Sequence, residues 1–452
     1  MSTKRKAKTE AESELPGITS ITVEGYKSIA EPCTIEVRPL TILAGANSSG
    51  KSSIMQPLLL LKQTLEATYD PGPLKIDGPN VCFSQVREML PKAPGPRGPN
   101  QMRLTVGLAS SGPLTNTYRY EEHGRTLELA ETEYPDHDQP FCLQTGLVHG
   151  AIVQRIPAWI ERERLNMQEA AKSPLEWRVV PVRGFLSLGL APVDNTKPSP
   201  FPFLVLALPE PVSTCANELM HLPGLRGNPE RTYRKTGTGP VFPGLFVQYP
   251  ASLINEWRRR RDPRLADLAG DLARLGLTWK VWAGPVTDTE LEIRVGRLLR
   301  SAQGGSRDLV NIADVGFGVS QVLPVLVALR AADRGRLVYI EQPEIHLHPK
   351  AQVALAAALA DAANRGVRVV AETHSALLLL SVETLVAEGR LASRKVKLHW
   401  FSRRADGVTE VTPGDLDEAG AFKGWPQDFG PAELEAMACY HDAAAKARRR
   451  AG

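Results

Sequence analysis

Five residues of this chain have side chains suited to phosphate chemistry and sit in motifs that restrict their surroundings: Lys51, Ser52, Glu341, Glu344 and His374. Lys51 and Ser52 close the run Gly45-Ala46-Asn47-Ser48-Ser49-Gly50-Lys51-Ser52, which meets the pattern G-x-x-x-x-G-K-[ST] at every constrained position. Only glycine lets the main chain wrap a phosphate closely, and Gly45 and Gly50 stand at the two tight places. The backbone from Gly45 through Asn47, Ser48, Ser49 and Gly50 to Ser53 is therefore expected to cradle a triphosphate. Lys51 would lie against its β- and γ-phosphates, and Ser52 would give a hydroxyl ligand to Mg2+. A Gly/Ser-rich turn that binds nothing is the alternative. The strand-like run 40–44 before the loop and the helix-like run 52–67 after it argue against that, and ATP with Mg2+ is the expected ligand pair.

The acids lie far along the chain. Residues 337–340 are four apolar residues that read as a buried parallel strand, ending in Glu341. A carboxylate at that strand end can hold Mg2+ directly or through water, and Glu344, past Pro343, is placed to orient and deprotonate an attacking water. Another buried run, 367–371, leads to Glu372-Thr373-His374-Ser375. A histidine at the carboxyl end of a strand beside the P-loop strand can sense the γ-phosphate, because ligands of open α/β sheets bind there. A lone histidine at a strand end more often only braces the backbone.

The elements that must position these groups alternate in character. Residues 18–29 and 33–37 read as a strand pair leading into the P-loop strand. Residues 102–108, 115–121 and 126–131 alternate apolar and polar side chains around turn signals, as a half-buried antiparallel sheet does. Residues 156–169, 251–257 and 265–275 read as helices, and 279–282 with 291–295 as a hairpin. The Pro-rich stretch 192–211 breaks the pattern, and sustained heptads are absent.

With Gly25-Tyr26-Lys27-Ser28-Ile29 ahead of the P-loop strand, the ordered motifs resemble the ABC-type ATPase heads of the SMC, RecF and OLD group. Asp314-Val315-Gly316-Phe317-Gly318-Val319-Ser320-Gln321 and Glu341-Gln342-Pro343-Glu344-Ile345-His346-Leu347-His348-Pro349 are similar to the prokaryotic "AAA" ATPases of that group, many of them encoded in anti-phage defence systems. Leu222-Pro223-Gly224-Leu225-Arg226-Gly227-Asn228-Pro229-Glu230-Arg231-Thr232-Tyr233 and Gly424-Trp425-Pro426-Gln427-Asp428-Phe429 fit the same subgroup. The resemblance implies an α/β P-loop NTPase, an ABC-type head with an antiparallel β subdomain and a helical or irregular insertion.

It also implies a homo-oligomer, at least a dimer, in which the loop with Gly318, Ser320 and Gln321 completes the ATP site of a neighbour. This loop departs from the Ser-Gly-Gly-Gln of transporter-type ATPases, and the Ser320 contact is shifted accordingly. A Gln that senses nucleotide between the P-loop helix and the rest of the sheet, at the metal, is implied too, with Gln85 the best candidate. The activity implied is slow ATP hydrolysis, regulated by a trigger or partner, that controls a separately encoded effector such as a nuclease or toxin. A RecF-type DNA-repair ATPase and a non-hydrolysing ATP-locked scaffold are the competing readings.

Bulk properties set outer limits. The chain has 452 residues, 42% of them hydrophobic and 23% charged, with a net charge of +4. This is ordinary globular composition, and DNA is neither required nor excluded. Basic residues cluster at 258–261 and 446–450. Five scattered cysteines without paired spacing argue for a reducing cytoplasm and against a zinc site. No apolar run is long enough for a membrane span. The expected organisation is a flexible tail at 1–15, ATPase lobe I at 16–145, an insertion at 146–256, lobe II at 257–400 and a C-terminal extension at 401–452. The stretch after His374 is short for a Toprim nuclease, so Asp415-Leu416-Asp417 is expected to be an exposed turn. Arg226, Arg231 and Tyr233 have two open readings: facing a phosphate or partner, or bracing their own loop.

Overall fold

The computed structural model describes residues 15–92, 100–136, 140–193, 202–298 and 308–422. The segment Gly424-Trp425-Pro426-Gln427-Asp428-Phe429, the basic stretch 446–450 and the expected tail up to residue 14 lie outside the described residues.

A six-stranded, mostly parallel sheet organises the chain. Its order is Met220–Leu222, Leu337–Glu341, Arg368–Thr373, Leu40–Gly45, Val396–Arg403 and Thr409–Gly414, and only the last strand runs antiparallel. The strands from Leu40, Leu337 and Arg368 are apolar on both faces because both faces are covered. Ile42, Ala44, Val338, Ile340 and Val369 point into one core with the helices Phe317–Ala331, Pro349–Asn364 and Ala376–Ala387. Leu43, Tyr339, Val370 and Phe401, on the opposite pleat, pack into a second core with the P-loop helix Lys51–Leu65.

That helix is sandwiched. Its outer side meets an antiparallel sheet ordered Cys33–Glu36, Ile18–Glu24, Gln101–Leu108, Gly112–Glu121, Thr126–Tyr134 and Phe141–Gln144. Twelve of its residues are buried. The expected antiparallel subdomain is thus present, with the strand pair at 18–37 as part of it. The helices expected around 156–169, 251–257 and 265–275 are Ala158–Ala171, Pro250–Arg260 and Arg264–Arg274, and Val281–Pro285 pairs with Glu290–Gly296 as the hairpin.

Two expected units are distributed differently. Within 146–256, the hairpin Leu175–Val182 and Phe185–Pro192 packs on the antiparallel lobe, where Asn116 Nδ2 and Tyr134 Oη donate to the Gly184 and Leu186 carbonyls. Met220–Leu222, further on, is the edge strand of the parallel sheet. The boundary at 400 falls inside Val396–Arg403, which pairs directly with the P-loop strand. Apolar alternation identifies a strand but not its partner, and these partners are far away in sequence.

Candidate nucleotide site

At the carboxyl end of Leu40–Gly45 the chain turns through backbone shapes that favour glycine: φ is 140° at Gly45 and 103° at Gly50, with Ser48 also left-handed at 60°. A Cβ on Gly45 would sit 2.1 Å from the Phe401 carbonyl oxygen, and one on Gly50 would sit 2.4 Å from Thr409 Oγ1. Glycine is required at both places by the close approach of the last two strands as well as by φ. Thr409 Oγ1 is 2.9 Å from the Ser49 carbonyl oxygen and 2.8 Å from Ser28 Oγ, so the loop is backed by a residue from the expected C-terminal extension.

Lys51, 2% exposed, turns its ammonium back onto the loop, donating to the carbonyls of Gly45 at 3.0 Å and Ala46 at 2.7 Å. Burial lowers its pKa, and the nearby Glu372 carboxylate acts in the other direction. Ser52 Oγ donates to Glu372, 2.9 Å from Oε2 and 3.1 Å from Oε1. Glu341 and Glu372 are direct partners in the register between their parallel strands, so both side chains emerge on the P-loop helix side of the sheet.

The two carboxylates are held differently. Glu341 Oε1 is 3.3 Å from His221 Nε2, and Oε2 accepts from the Gly224 N–H at 3.1 Å. Burial raises the Glu341 pKa, but the hydrogen bonds and charge of this surrounding outweigh it and the net direction is down. Glu372 shifts up, first through burial and then through the neighbouring Glu341 charge. Tyr339 Oη donates to Glu372 Oε2 at 3.0 Å. His221 stacks on Tyr339 with ring centroids 5.3 Å apart, and its Nδ1 is 3.1 Å from Asn80 Oδ1.

Glu344 lies in a tight turn between left-handed residues at Gln342 and His346. Its Oε1 accepts from Thr373 Oγ1 at 2.6 Å and from the His374 N–H at 3.1 Å. Oε2 is buried without a hydrogen-bond partner. One oxygen is fixed and the other is available to take a proton. The His374 imidazole lies by the Gly45 carbonyl, and its pKa is lowered by burial and by the Lys51 charge. It is therefore neutral near pH 7, with one ring nitrogen able to donate.

Of the groups predicted from sequence, Lys51, Ser52 and His374 gather at the P-loop mouth, Glu344 is tied to His374, and Glu341 stands beside Glu372. Gln85 is exposed at the head of the turn Val86–Met89. The residue of that connection that reaches toward the acids is Asn80, through His221. Ser320 and Gln321 face inward in this chain: Ser320 Oγ donates to the Phe317 carbonyl at 3.0 Å, and Gln321 Nε2 to the Gly227 carbonyl at 2.7 Å. Gly318 lies against the His346 carbonyl, and Phe317 is half exposed at the head of the same helix.

Arg226 takes the bracing reading. Its guanidinium donates to the carbonyls of Glu341 at 2.5 Å, Gln342 at 3.1 Å and Gln321 at 3.4 Å, linking the acidic turn to the Gly318 helix. Burial pulls its pKa down to about 10, with Glu344 and Glu341 opposing. Arg231 pairs with Asp314 at 2.7 Å, and Tyr233 Oη accepts from the Glu230 N–H at 3.2 Å. Sequence reasoning missed Glu372, His221 and Thr409, and left the role of Arg226 open between two readings. The Glu372-Thr373-His374 run was a usable signal for the first, since an acid two positions before a strand-end histidine shares its face of the strand.

The oxygen donors at the mouth, the Ser52 hydroxyl and the Glu372 and Glu341 carboxylates, suit Mg2+, which takes few protein ligands and keeps phosphate oxygens and waters for the rest. Among the described residues no group of three or more His, Cys, Asp or Glu forms an all-protein metal cage.

A glycine loop between a parallel strand and a helix, with acids and a histidine on the next two strand ends and an antiparallel sheet over the helix, defines a P-loop NTPase of the ABC-type head architecture. Residues 220–381 match a family described as "AAA domain, putative AbiEii toxin, Type IV TA system", and residues 17–89 match "AAA ATPase domain". Both matched stretches are thus similar to AAA-type ATPase domains, in accord with the P-loop fold.

Solved structures similar to it include an Smc head bound to the C-terminal winged-helix domain of ScpA, at 14% identity and a TM-score of 0.44 over 89% of this chain and 99% of that chain. An SMC head domain from Thermotoga maritima is 11% identical, with a TM-score of 0.38 over 88% and 98%. An Smc head with an extended coiled coil, bound to a ScpA C-terminal domain derived from Pyrococcus furiosus, is 13% identical, with a TM-score of 0.43 over 88% and 96%. No curated protein matches the sequence.

Proposed function

We propose that this protein is an ATP-hydrolysing switch whose heads pair around nucleotide and control a separate effector polypeptide in anti-phage defence. The observation that carries this reading is Glu344, a buried carboxylate with Oε1 tied to Thr373 and His374 and Oε2 free. On ATP binding, Lys51 exchanges the Gly45 and Ala46 carbonyls for β- and γ-phosphate oxygens. Ser52, Glu372 and Glu341 are the groups that would hold Mg2+, which when bound offsets charge on the bridging phosphates. Glu344 Oε2 accepts the proton of the attacking water, and neutral His374 donates to the γ-phosphate. The helix beginning at Phe317 faces a second copy, and Arg226 couples it to the acidic turn.

The defence role is supported by the description of the matched family, which names a toxin-like AAA domain. Among the described residues no helix is long and apolar enough to cross a membrane, and the four described cysteines are free thiols. A cytoplasmic site of action accords with both.

Glu344→Gln tests the reading. ATP affinity should persist, phosphate release should fall by about 100- to 10,000-fold, and ATP should drive the variant into a stable dimer in light scattering. Negligible release by the wild-type chain, unchanged in the variant, would leave an ATP-locked scaffold instead, and substantial release unchanged in the variant would remove Glu344 from the role of base. Salt-dependent retention of DNA by the wild-type chain would turn the reading toward DNA repair.

A further inference from the structure

The opposite end of the parallel sheet carries a cleft that the nucleotide chemistry does not use. It has a volume of about 380 Å3 and lies where the chain enters the strands Leu40–Gly45, Leu337–Glu341, Arg368–Thr373 and Val396–Arg403. Six cations line it, Arg38, Arg334, Arg365, Arg368, Arg394 and Lys395, and among the described residues no carboxylate does.

Several of these charges have local work. Arg38 pairs with Glu36 and Asp415, Arg365 Nη2 donates to the Leu329 carbonyl at 2.7 Å, and Lys395 Nζ donates to Asn364 Oδ1 at 3.0 Å. The floor differs. Arg368 is 4% exposed, and its guanidinium donates only to main-chain carbonyls, those of Leu15, Pro16 and Val37, at 2.6 to 2.9 Å. Burial lowers its pKa, and the group acting against that is the Cys215 thiol rather than a carboxylate. A buried guanidinium whose hydrogen bonds are satisfied but whose charge is not is costly unless an anion lies near. Arg365, beside it, also has its pKa lowered, by burial and by the like charge of Arg330.

We propose that this cleft binds a small phosphate-bearing anion, of about the size of a pyrophosphate or a mononucleotide. Its volume is at the lower end of small-molecule sites. Guanidinium forks match phosphate oxygens two at a time, which distinguishes arginine from a diffuse positive patch. A duplex would need a stripe of contacts along its backbone, whereas these cations surround one concavity. The site is separate from the ATP site, since each lining connection lies one strand length, roughly 20 Å, from the P-loop end of the sheet.

The test uses the full chain with Lys51→Ala, which disables the P-loop as a competing anion site, and pyrophosphate as the probe in calorimetry. The proposal expects one binding event that weakens about tenfold or more when Arg334→Glu and Lys395→Glu are added, with the melting temperature unchanged. Both residues reach the surface and hold no backbone carbonyl in the described contacts, so a fold-preserving variant is available. No heat of binding in the Lys51→Ala chain, or binding indifferent to the two charge reversals, would overturn it. So would loss of duplex DNA retention in the charge-reversed variant with pyrophosphate binding unaltered, which would assign the cleft to nucleic acid.

Discussion

The same parallel strands have opposite electrostatic character at their two ends. At the carboxyl end, Glu372 lies near the buried Lys51 with Glu341 beside it in register, Glu344 is tied to Thr373 and His374, and most polar atoms there are engaged by hydrogen bonds within the protein. At the amino end, six cations surround a cleft whose floor arginine is engaged by carbonyls alone. Part of that cationic excess is ordinary: helices such as Pro349–Asn364 finish at this edge, and helix C-termini attract positive side chains. The comparison separates two ways of preparing a site. One end holds its polar groups in contacts that a ligand must exchange, with carboxylates beside the cation, and the other leaves a cation with no carboxylate among the described lining residues.

The comparison breaks first at Lys51. If its carbonyl contacts stand in for phosphate oxygens, Lys51→Ala should weaken ATP binding by about 100-fold, the scale of losing charge-assisted hydrogen bonds to an anion. Calorimetry with ATP and Mg2+ measures it. An affinity within threefold of wild type would mean the ammonium is a structural brace of the loop.

His399 tests what joins the layers between these ends. Its ring is 1% exposed, Nε2 lies 3.0 Å from the Glu36 N–H, and Nδ1 is buried without a partner. Burial drives its pKa from 6.5 down to about 4. The unfolded chain therefore binds a proton before the folded one does. Stability from this group is complete above about pH 6.5 and is lost as pH falls through 4. On the order of 3 kcal/mol should disappear across that window in urea titrations, and His399→Gln should flatten the slope. An equal slope in the variant would assign acid sensitivity to other groups.

How far the sequence revealed all this depended on chain distance. The glycine loop was legible because its constraints are contiguous: two glycines, a lysine and a hydroxyl, with a strand before and a helix after. Glu341 was legible as a strand-end acid. That Ser52 would meet Glu372 rather than Glu341 was not, because the two are 320 positions apart and only the strand register brings them together. Arg226 reaches the Glu341 carbonyl across 115 positions, from a segment whose sequence is equally compatible with a partner-facing loop. The antiparallel sheet was visible from alternation within 18–134. The membership of 220–222 and 396–414 in the nucleotide sheet was hidden, since a period of two says nothing about pairing partners.

That register sets up a sharper contrast inside the acidic end. Glu372→Gln removes the carboxylate on Ser52, whereas Glu341→Gln removes the one held by His221 and Gly224. Glu372→Gln should raise the Mg2+ concentration needed for half-maximal ATP binding by about tenfold, the scale of one charged hydrogen bond. Metal-free ATP binding should hardly change. The reverse ranking of the two variants would return the metal contact to Glu341 and make Glu372 a strut for the Ser52 hydroxyl.

The smallest effect concerns the backing of the loop. Thr409 Oγ1 touches both the Ser49 carbonyl and Ser28, and the Gly50 backbone lies close against it. Valine keeps the shape but deletes the hydroxyl, leaving a buried carbonyl short of one donor. Thr409→Val should cost about 1 kcal/mol in urea denaturation. Its effect on ATP affinity separates two possibilities. If the loop is held in its binding shape by the strand behind it, affinity should fall with stability, because the free chain would then have to order Ser48 to Gly50 on binding. If affinity stays constant, the left-handed backbone at Ser48 and Gly50 sets the loop's shape without help from Thr409.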